Sequence, residues 1–97
     1  MDVVALRAEL YIRSARSLKD KRGVLRPVVE GLRARFHLSV AEVDHQDDHH
    51  QATVGVAIVA ADAHQAELIA DEVERWIWSR PDVEVTEIVR SWLDLEV

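Results

Sequence analysis

Apolar residues alternate with other residues at the start of the chain. Within residues 3–12, the apolar side chains that share one side are Val4, Leu6, Ala8, Leu10 and Ile12. Arg7, Glu9 and Tyr11 take positions on the other side. A period of two is typical of a strand with one buried face. The pattern therefore predicts a half-buried strand over residues 3–12.

After residue 17 the spacing of apolar residues changes to three and four, which predicts a helix over residues 18–36. Ser17 is the expected N-cap, because a serine hydroxyl accepts a hydrogen bond from a backbone N–H of the first turn. Gly23 and Pro27 oppose a regular helix, since proline clashes with the carbonyl four residues earlier, here that of Gly23. We expect either a kink at that point or a helix that becomes regular only at Pro27.

Three strands and a second helix complete the prediction. Residues 38–44 and 51–60 are rich in valine and are predicted strands, separated by a polar segment short enough for a hairpin. Asp62 followed by Gln65 is typical of a capping box at the start of a helix, and Pro81 marks the end of that helix. Residues 83–93 form the last predicted strand.

The predicted order of elements is β-α-β-β-α-β. Each helix has one apolar side, so both helices can cover the same face of a four-stranded antiparallel sheet. Right-handed connections then favour an α+β fold, the ferredoxin-like βαββαβ sandwich, with its first and third strands at the centre. A chain of 97 residues suits a single domain, which we expect to span residues 1–97.

Composition excludes several classes of protein. The chain has no cysteine, which excludes disulfides and thiolate zinc ligands. No apolar run approaches the ~18 residues of a membrane span, and the first residues lack the features of a secretion signal. We therefore expect a cytoplasmic protein without membrane contact, and we expect no cofactor.

The net charge of −6 hides an asymmetry along the chain. Residues 1–36 contain nine Lys and Arg against four Asp and Glu, a balance of +5. Residues 37–97 contain three Lys and Arg against fourteen Asp and Glu, a balance of −11. An acidic protein with a localised basic segment can still contact nucleic acid through that segment.

The basic segment surrounds the start of the first predicted helix, where free N–H groups and the helix dipole favour an anion. We predict a phosphate-binding site formed by Arg13, Arg16, Ser17, Lys19, Lys21, Arg22 and Arg26. Its partner would be RNA or a ribosomal subunit, contacted at phosphates, since the third strand has no aromatic residue on which bases could stack. The alternative is a solvated helix face with ion pairs to Asp20 and Glu30.

The predicted hairpin concentrates histidine and aspartate in the sequence VDHQDDHHQA, residues 43–52. With a turn at residues 46–49, His45 and His50 would face each other, Asp44 and Gln51 would project to the other side, and His49 would diverge from His50. Candidate ligands would then be scattered over two faces, whereas zinc needs three or four that converge. We expect a solvated turn whose histidines gain charge below about pH 6.5, with metal binding as the alternative.

A protein-interaction module, and in particular a homodimer, is a second functional class. The sheet face without helices is expected to carry Val3, Ala5, Ala57 and Val59, and the edge strands add unpaired backbone groups. Trp78 and Trp92 are either contact residues or rim residues of the core, and Trp76 is expected in the core.

An enzyme is the third class, and no catalytic constellation supports it. Glu9, Glu42 and Asp44 would lie on adjacent strands, but carboxylates without a metal motif or a pocket are more typical of solvated strand positions. We therefore expect a protein without catalytic activity.

Several motifs resemble the bacterial YlxP-like family over nearly the whole chain. They are SLKDKR at residues 17–22, SVAEVD at residues 39–44 and QD at residues 46–47. The resemblance implies a ferredoxin-like fold, no agreed catalytic residue, and genes that often lie among those for translation initiation and ribosome maturation. Many relatives continue after QD with a basic or apolar residue, a tryptophan and Gln-Arg. This chain has Asp48, His49, His50 and Gln51 there, so we expect its hairpin to contact nucleic acid less well than theirs.

Overall fold

The computed structural model describes residues 1–93 and has the predicted order of elements. These are β1 (Asp2–Tyr11), α1 (Leu18–Phe36), β2 (Ser39–Asp44), β3 (Gln51–Ala60), α2 (Ala63–Trp78) and β4 (Glu84–Leu93). The four strands form one antiparallel sheet in the order β2-β3-β1-β4, so β1 and β3 are central as predicted. Both helices pack against the sheet and against each other, which is the ferredoxin-like arrangement.

The core lies between the sheet and the two helices. Every second residue of β1 is buried, from Val4 to Leu10, and β3 adds Val54, Val56 and Ile58. The helices contribute Leu25, Val28, Leu32, Ala66, Ala70, Val73 and Ile77. Full burial of one large aliphatic side chain contributes about 1.5–3 kcal/mol, so this layer supplies most of the driving force for folding.

Helix α1 begins at Leu18 and runs through Pro27 without a break. The expectation of a helix that becomes regular only at Pro27 is therefore wrong. Lys21 and Leu25 are both buried against the rest of the protein, and this packing holds the first turns in place despite the proline. The helix ends at Phe36, and its C-cap, His37, has a positive φ of 55° and donates its N–H to the carbonyl of Arg33.

Gly31 allows a close contact between the two helices. A Cβ atom at this position would lie 2.6 Å and 2.8 Å from two atoms of the Trp76 ring. Trp76 also meets Phe36 edge to face, with ring centroids 6.4 Å apart. The tryptophan is only partly buried, so it covers the outside of the core and does not lie within it.

The hairpin between β2 and β3 differs from the predicted one. Asp44 pairs with Thr53, not with Gln51, because the register shifts between Glu42 and Asp44 and leaves Val43 unpaired. Val43 packs over Gly55, where a Cβ would lie 3.0 Å from a valine methyl. The predicted pairing of His45 with His50 is therefore wrong, since an irregular strand cannot hold the symmetric register.

Within residues 1–93, neither helix has the length and apolar character needed to cross a membrane.

Candidate functional site

Lys21 was predicted to contact phosphate, but the structure places it inside the protein, with only 1% of its surface exposed. Its Nζ donates to the carbonyls of His45 (2.8 Å) and Gln51 (3.1 Å). The same Nζ lies 2.9 Å from Oε2 of Glu42, an ion pair without hydrogen-bond alignment. Lys21 therefore fastens the two ends of the hairpin to α1 and is not accessible to a ligand.

The start of α1 is capped by its own residues. The Ser17 hydroxyl accepts from the N–H of Asp20 at 3.1 Å, so the predicted N-cap is confirmed. The carboxylate of Asp20 in turn accepts from the backbone N–H of Arg16 at 3.0 Å. Because Asp20 places a negative charge at this end of the helix, Ser17 and the first-turn N–H groups are poor candidates for binding a phosphate.

Arg13 is held by a carboxylate. Its Nε and Nη2 donate to the two oxygens of Glu84 at 2.9 Å and 3.1 Å, and its guanidinium lies 5.4 Å from the Tyr11 ring centroid. This bidentate pair lowers the pKa of Glu84 and raises that of Arg13. Both side chains are largely exposed, so the pair adds little stability, but it neutralises the charge of Arg13.

The other four predicted cations are exposed and form no ion pair with any carboxylate in residues 1–93. We call them the α1 cation row: Arg16, Lys19, Arg22 and Arg26. Lys19, Arg22 and Arg26 are three and four residues apart, which places them along one side of α1, and Arg16 lies two residues before the start of the helix. Seven residues at about 1.5 Å per residue put Lys19 and Arg26 roughly 10 Å apart along the axis.

A groove of about 290 Å³ continues the α1 cation row toward the edge strand β2. Leu25, Val29 and Ala41 give it an apolar lining, and the charged residues around it are Arg22, Arg26, Glu30, Arg33 and Glu42. Arg33 donates to the carbonyl of Val40 at 2.6 Å and pairs with Glu30 at 3.2 Å. Arg33 thus protects the sheet edge and is less available to a ligand than Arg22 and Arg26.

The sequence prediction missed a second group of cations, Arg35, Arg75 and Arg80. They line a groove of about 570 Å³ between the C-terminal parts of α1 and α2, together with Phe36, Glu72, Trp76 and Ser79. The guanidinium of Arg80 lies 4.1 Å from the centroid of the Trp76 ring. The four-residue spacing of Trp76 and Arg80 was the signal available in the sequence, since it brings two side chains together at a helix end.

The hairpin is organised by its aspartates. Oδ1 of Asp48 accepts from the N–H groups of His50 (2.8 Å) and Gln51 (3.0 Å), and these bonds lower the pKa of Asp48. Asp44 accepts from the N–H of His45 at 2.8 Å, which lowers its pKa in the same way. Because both carboxylates accept hydrogen bonds from backbone N–H groups, they stabilise the turn.

The rings of two neighbouring histidines in the hairpin lie close together. The rings of His49 and His50 are 4.2 Å apart, so the expectation that they diverge is wrong. His50 also lies 5.4 Å from the Tyr11 ring, because its carbonyl accepts from the N–H of Ile12 and so holds it beside β1. Among residues 1–93, no group of three or more histidines and carboxylates is placed to hold a metal ion.

Two of the three strand carboxylates, Glu9 and Asp44, share Arg7 as a partner, whereas Glu42 does not. Glu9 accepts from the Thr53 hydroxyl at 2.6 Å, and this bond, with support from Arg7, lowers the pKa of Glu9. Glu42 pairs with Lys21 on the helix side of the sheet, while Asp44 pairs with Arg7 at 3.2 Å.

The sheet face without helices is apolar over part of its area. The register pairs Val3 with Val59 and Ala5 with Ala57, as expected for residues that share this face. A shallow groove of about 340 Å³ lies beside them, lined almost entirely by small or apolar residues that include Ala41, Val43 and Gly55. Val59 is 61% exposed, so the face has no covering within residues 1–93.

Two tryptophans are also exposed. Trp78, at the end of α2, is 55% exposed, and Trp92, in the edge strand β4, is 42% exposed. Neither is a core residue.

A family model described as "Protein of unknown function (DUF503)" matches residues 3–90. The chain is 32% identical over 84 residues to the uncharacterized protein YlxP of Bacillus subtilis (strain 168), which covers 87% of this chain and 91% of that protein.

Two of the solved structures that share the fold are designed proteins. The de novo designed protein Foldit4 has a TM-score of 0.54 at 15% identity, covering 94% of this chain and 97% of that one. A de novo designed protein with ferredoxin fold has a TM-score of 0.51 at 12% identity, covering 98% and 88%. At these identities the likeness shows the fold alone.

Proposed function

The chain belongs to the DUF503, YlxP-like family, as predicted, and since no function is established for that family, we propose that this member is a non-catalytic accessory factor that binds RNA, alone or in a ribosomal subunit. The contact surface is the α1 cation row, and the bonds are to phosphates. We choose RNA over other polyanions because the resemblance to the family implies genes that often lie among those for translation initiation and ribosome maturation.

One observation carries this proposal. Arg16, Lys19, Arg22 and Arg26 are exposed and unpaired within residues 1–93, although the molecule has eighteen Asp and Glu for twelve Lys and Arg. Most other cations in the strands and loops are paired, such as Arg7, Arg13 and Arg90. Four cations left without partners in an acidic protein are the best available surface for a polyanion.

The net negative charge does not prevent this contact. At physiological salt the Debye length is about 8 Å, so exposed carboxylates farther than that from a phosphate are largely screened. Cations within hydrogen-bond reach of the phosphate dominate the local energy. Acidic parts of the surface repel a polyanion, so docking is favoured where unpaired cations such as the α1 cation row lie.

The sheet gives little basis for reading bases. RRM domains stack bases on aromatic side chains of their central strands, but β3 has no aromatic residue. Tyr11 of β1 is half-buried and lies against His50 and Arg13. We therefore expect phosphate contacts with weak sequence preference.

Fluorescence anisotropy with a labelled single-stranded RNA tests the proposal. The double variant Arg22→Gln/Arg26→Gln should weaken binding about tenfold or more near 100 mM salt, because two phosphate contacts are lost. Arg7→Gln/Arg13→Gln is the matched control, since it makes the same change in net charge at two cations that are already paired. Equal loss in both variants, or no binding by the wild type, would overturn the proposal.

A homodimer is the second candidate, favoured by the uncovered apolar sheet face. Three strands of ten residues and β2 of six residues, about 4.8 Å apart at about 3.3 Å per residue, present roughly 600 Å². Two copies face to face would bury about 1,200 Å², the lower limit for a specific interface. Sedimentation at micromolar concentration should detect a dimer in the wild type and a monomer in Ala57→Asp, and a wild-type monomer would reject this candidate.

A further inference from the structure

The groove between α1 and α2 carries more positive charge than its surroundings neutralise. Arg35, Arg75 and Arg80 line it, and none forms an ion pair with a carboxylate in residues 1–93. Glu72 is the carboxylate in the lining, and the C-terminal ends of the two helices add about half a negative charge each. The groove therefore keeps a net charge of about +1, which favours an anionic ligand.

Arg80 is fixed as a flat platform in this groove. Its guanidinium lies 4.1 Å from the Trp76 ring centroid, its Nε donates to the Trp76 carbonyl at 3.1 Å, and its Nη2 donates to the Ser79 hydroxyl at 2.9 Å. Trp76 is itself held against Gly31 and Phe36. Because the guanidinium is held over the indole at the lining of the groove, little ordering of Arg80 is needed before a planar group stacks on it.

We propose that this groove binds one unpaired nucleotide of an RNA strand, with the base stacked on the outer face of Arg80 and the phosphate bound by Arg35 and Arg75. Unpaired bases stack on arginine planes as well as on aromatic rings. The volume of about 570 Å³ is within the range of small-ligand sites. The inference rests on the proposed function, because the same strand would contact the α1 cation row through its other phosphates.

Arg80 also has a structural role, since its bond to the Trp76 carbonyl caps the end of α2. A change in stability on substitution would thus say nothing about a ligand. The test must measure selectivity for the base.

Nuclear magnetic resonance titration with AMP and with ribose 5-phosphate supplies that readout. AMP should shift the Trp76 indole N–H and the Arg80 Nε–H and should bind about fivefold or more tighter than ribose 5-phosphate, because only AMP has a base to stack. Arg80→Lys keeps the charge but removes the plane, so it should abolish the preference for AMP. Arg7→Lys, at an exposed arginine in β1, is the control and should keep it.

Equal affinity for AMP and ribose 5-phosphate, or a preference that survives in Arg80→Lys, would overturn the inference. A third titration uses single-stranded RNA. If RNA binds through the α1 cation row while the Trp76 and Arg80 signals stay still, the groove inference fails and the proposed function stands. If AMP binds but RNA does not, the proposed function fails, and an RNA nucleotide is not the occupant.

Discussion

Lys21 and Arg22 are consecutive residues with the same formal charge, yet they lie on different sides of α1. Lys21 faces the hairpin, is 1% exposed, donates hydrogen bonds to two carbonyls and forms an ion pair with Glu42. Arg22 faces solvent at the rim of a shallow groove and forms no ion pair within residues 1–93. We call the side of α1 that carries Lys21 the inner side and the side that carries Arg22 the outer side.

The difference between the two sides separates stability from binding. A buried ammonium must be fully bonded, so it holds structure together and has no donor left for a ligand. An exposed guanidinium contributes almost nothing to folding, but its donors are free. Substitutions on the inner side should therefore change stability, and those on the outer side should change only binding.

The largest expected effect is that of Lys21→Met. Methionine leaves the carbonyls of His45 and Gln51 without this donor and leaves Glu42 without its cation, so we expect a loss of about 2–4 kcal/mol in the free energy of unfolding. Urea denaturation measures it. Lys19→Met, two residues earlier on the outer side, is the control and should stay within about 0.5 kcal/mol. Similar values for both variants would remove the distinction between the two sides.

The second largest loss of stability is expected for Gly31→Ala. The new Cβ would lie 2.6 Å from the Trp76 ring, so the indole or the helix must shift, at a cost of about 1–3 kcal/mol. Thermal unfolding monitored by circular dichroism provides the measurement. Gly23→Ala is the matched control, since a Cβ there meets no atom within 4 Å, and alanine is the better helix former. A stable Gly31→Ala protein would contradict the described helix packing.

The outer side should show the reverse behaviour. The variant Arg22→Gln/Arg26→Gln, expected to weaken RNA binding, should unfold within about 0.5 kcal/mol of the wild type, because exposed and unpaired cations contribute little to stability. Urea denaturation of the samples used for anisotropy gives the free energy of unfolding, which can then be compared with the RNA affinity of the same protein. Destabilisation of about 2 kcal/mol or more, four times that margin, would place these arginines among the structural residues.

The smallest effect concerns the hairpin that Lys21 fastens. The N–H groups of His50 and Gln51 lower the pKa of Asp48 in the folded protein. The contribution of Asp48 to stability is therefore complete above its ordinary pKa of about 4, and it is lost as the pH falls through the lower pKa of the folded state. The amide signals of His50 and Gln51 should therefore move below about pH 4. Asp48→Asn keeps an acceptor that does not titrate, and amide signals that move unchanged in that variant would assign the transition to another group.

The elements of the fold were predictable from the sequence because their signals are local. The alternation in β1, the caps at Ser17 and Asp62, and the stop at Pro81 each depend on a few neighbouring residues. The strands and α1 lie within one residue of the predicted bounds, and α2 ends at Trp78, three residues before Pro81. The bulge at Val43 was not predictable, because it depends on how Val43 packs over Gly55 across the strands.

The candidate site was predictable as a set of charges but not as a surface. Lys21 lies four residues before Leu25 and seven before Val28, so its place on the apolar side of the helix was visible in the spacing. The pairing of Arg13 with Glu84 was not visible, since it joins residues 71 positions apart. The group formed by Arg35, Arg75 and Arg80 likewise depends on how α1 and α2 meet.

The salt dependence of RNA binding tests the central claim most directly, because it counts the cations that contact phosphate. Four contacts to single-stranded RNA predict a slope of about −2.8 in log K against log salt, or a roughly fifty-fold loss of affinity between 50 and 200 mM. Arg22→Gln/Arg26→Gln should reduce the slope to about −1.4, a roughly sevenfold loss, while Arg7→Gln/Arg13→Gln should keep the wild-type slope. A flat wild-type dependence, or the same slope in all three proteins, would contradict the account.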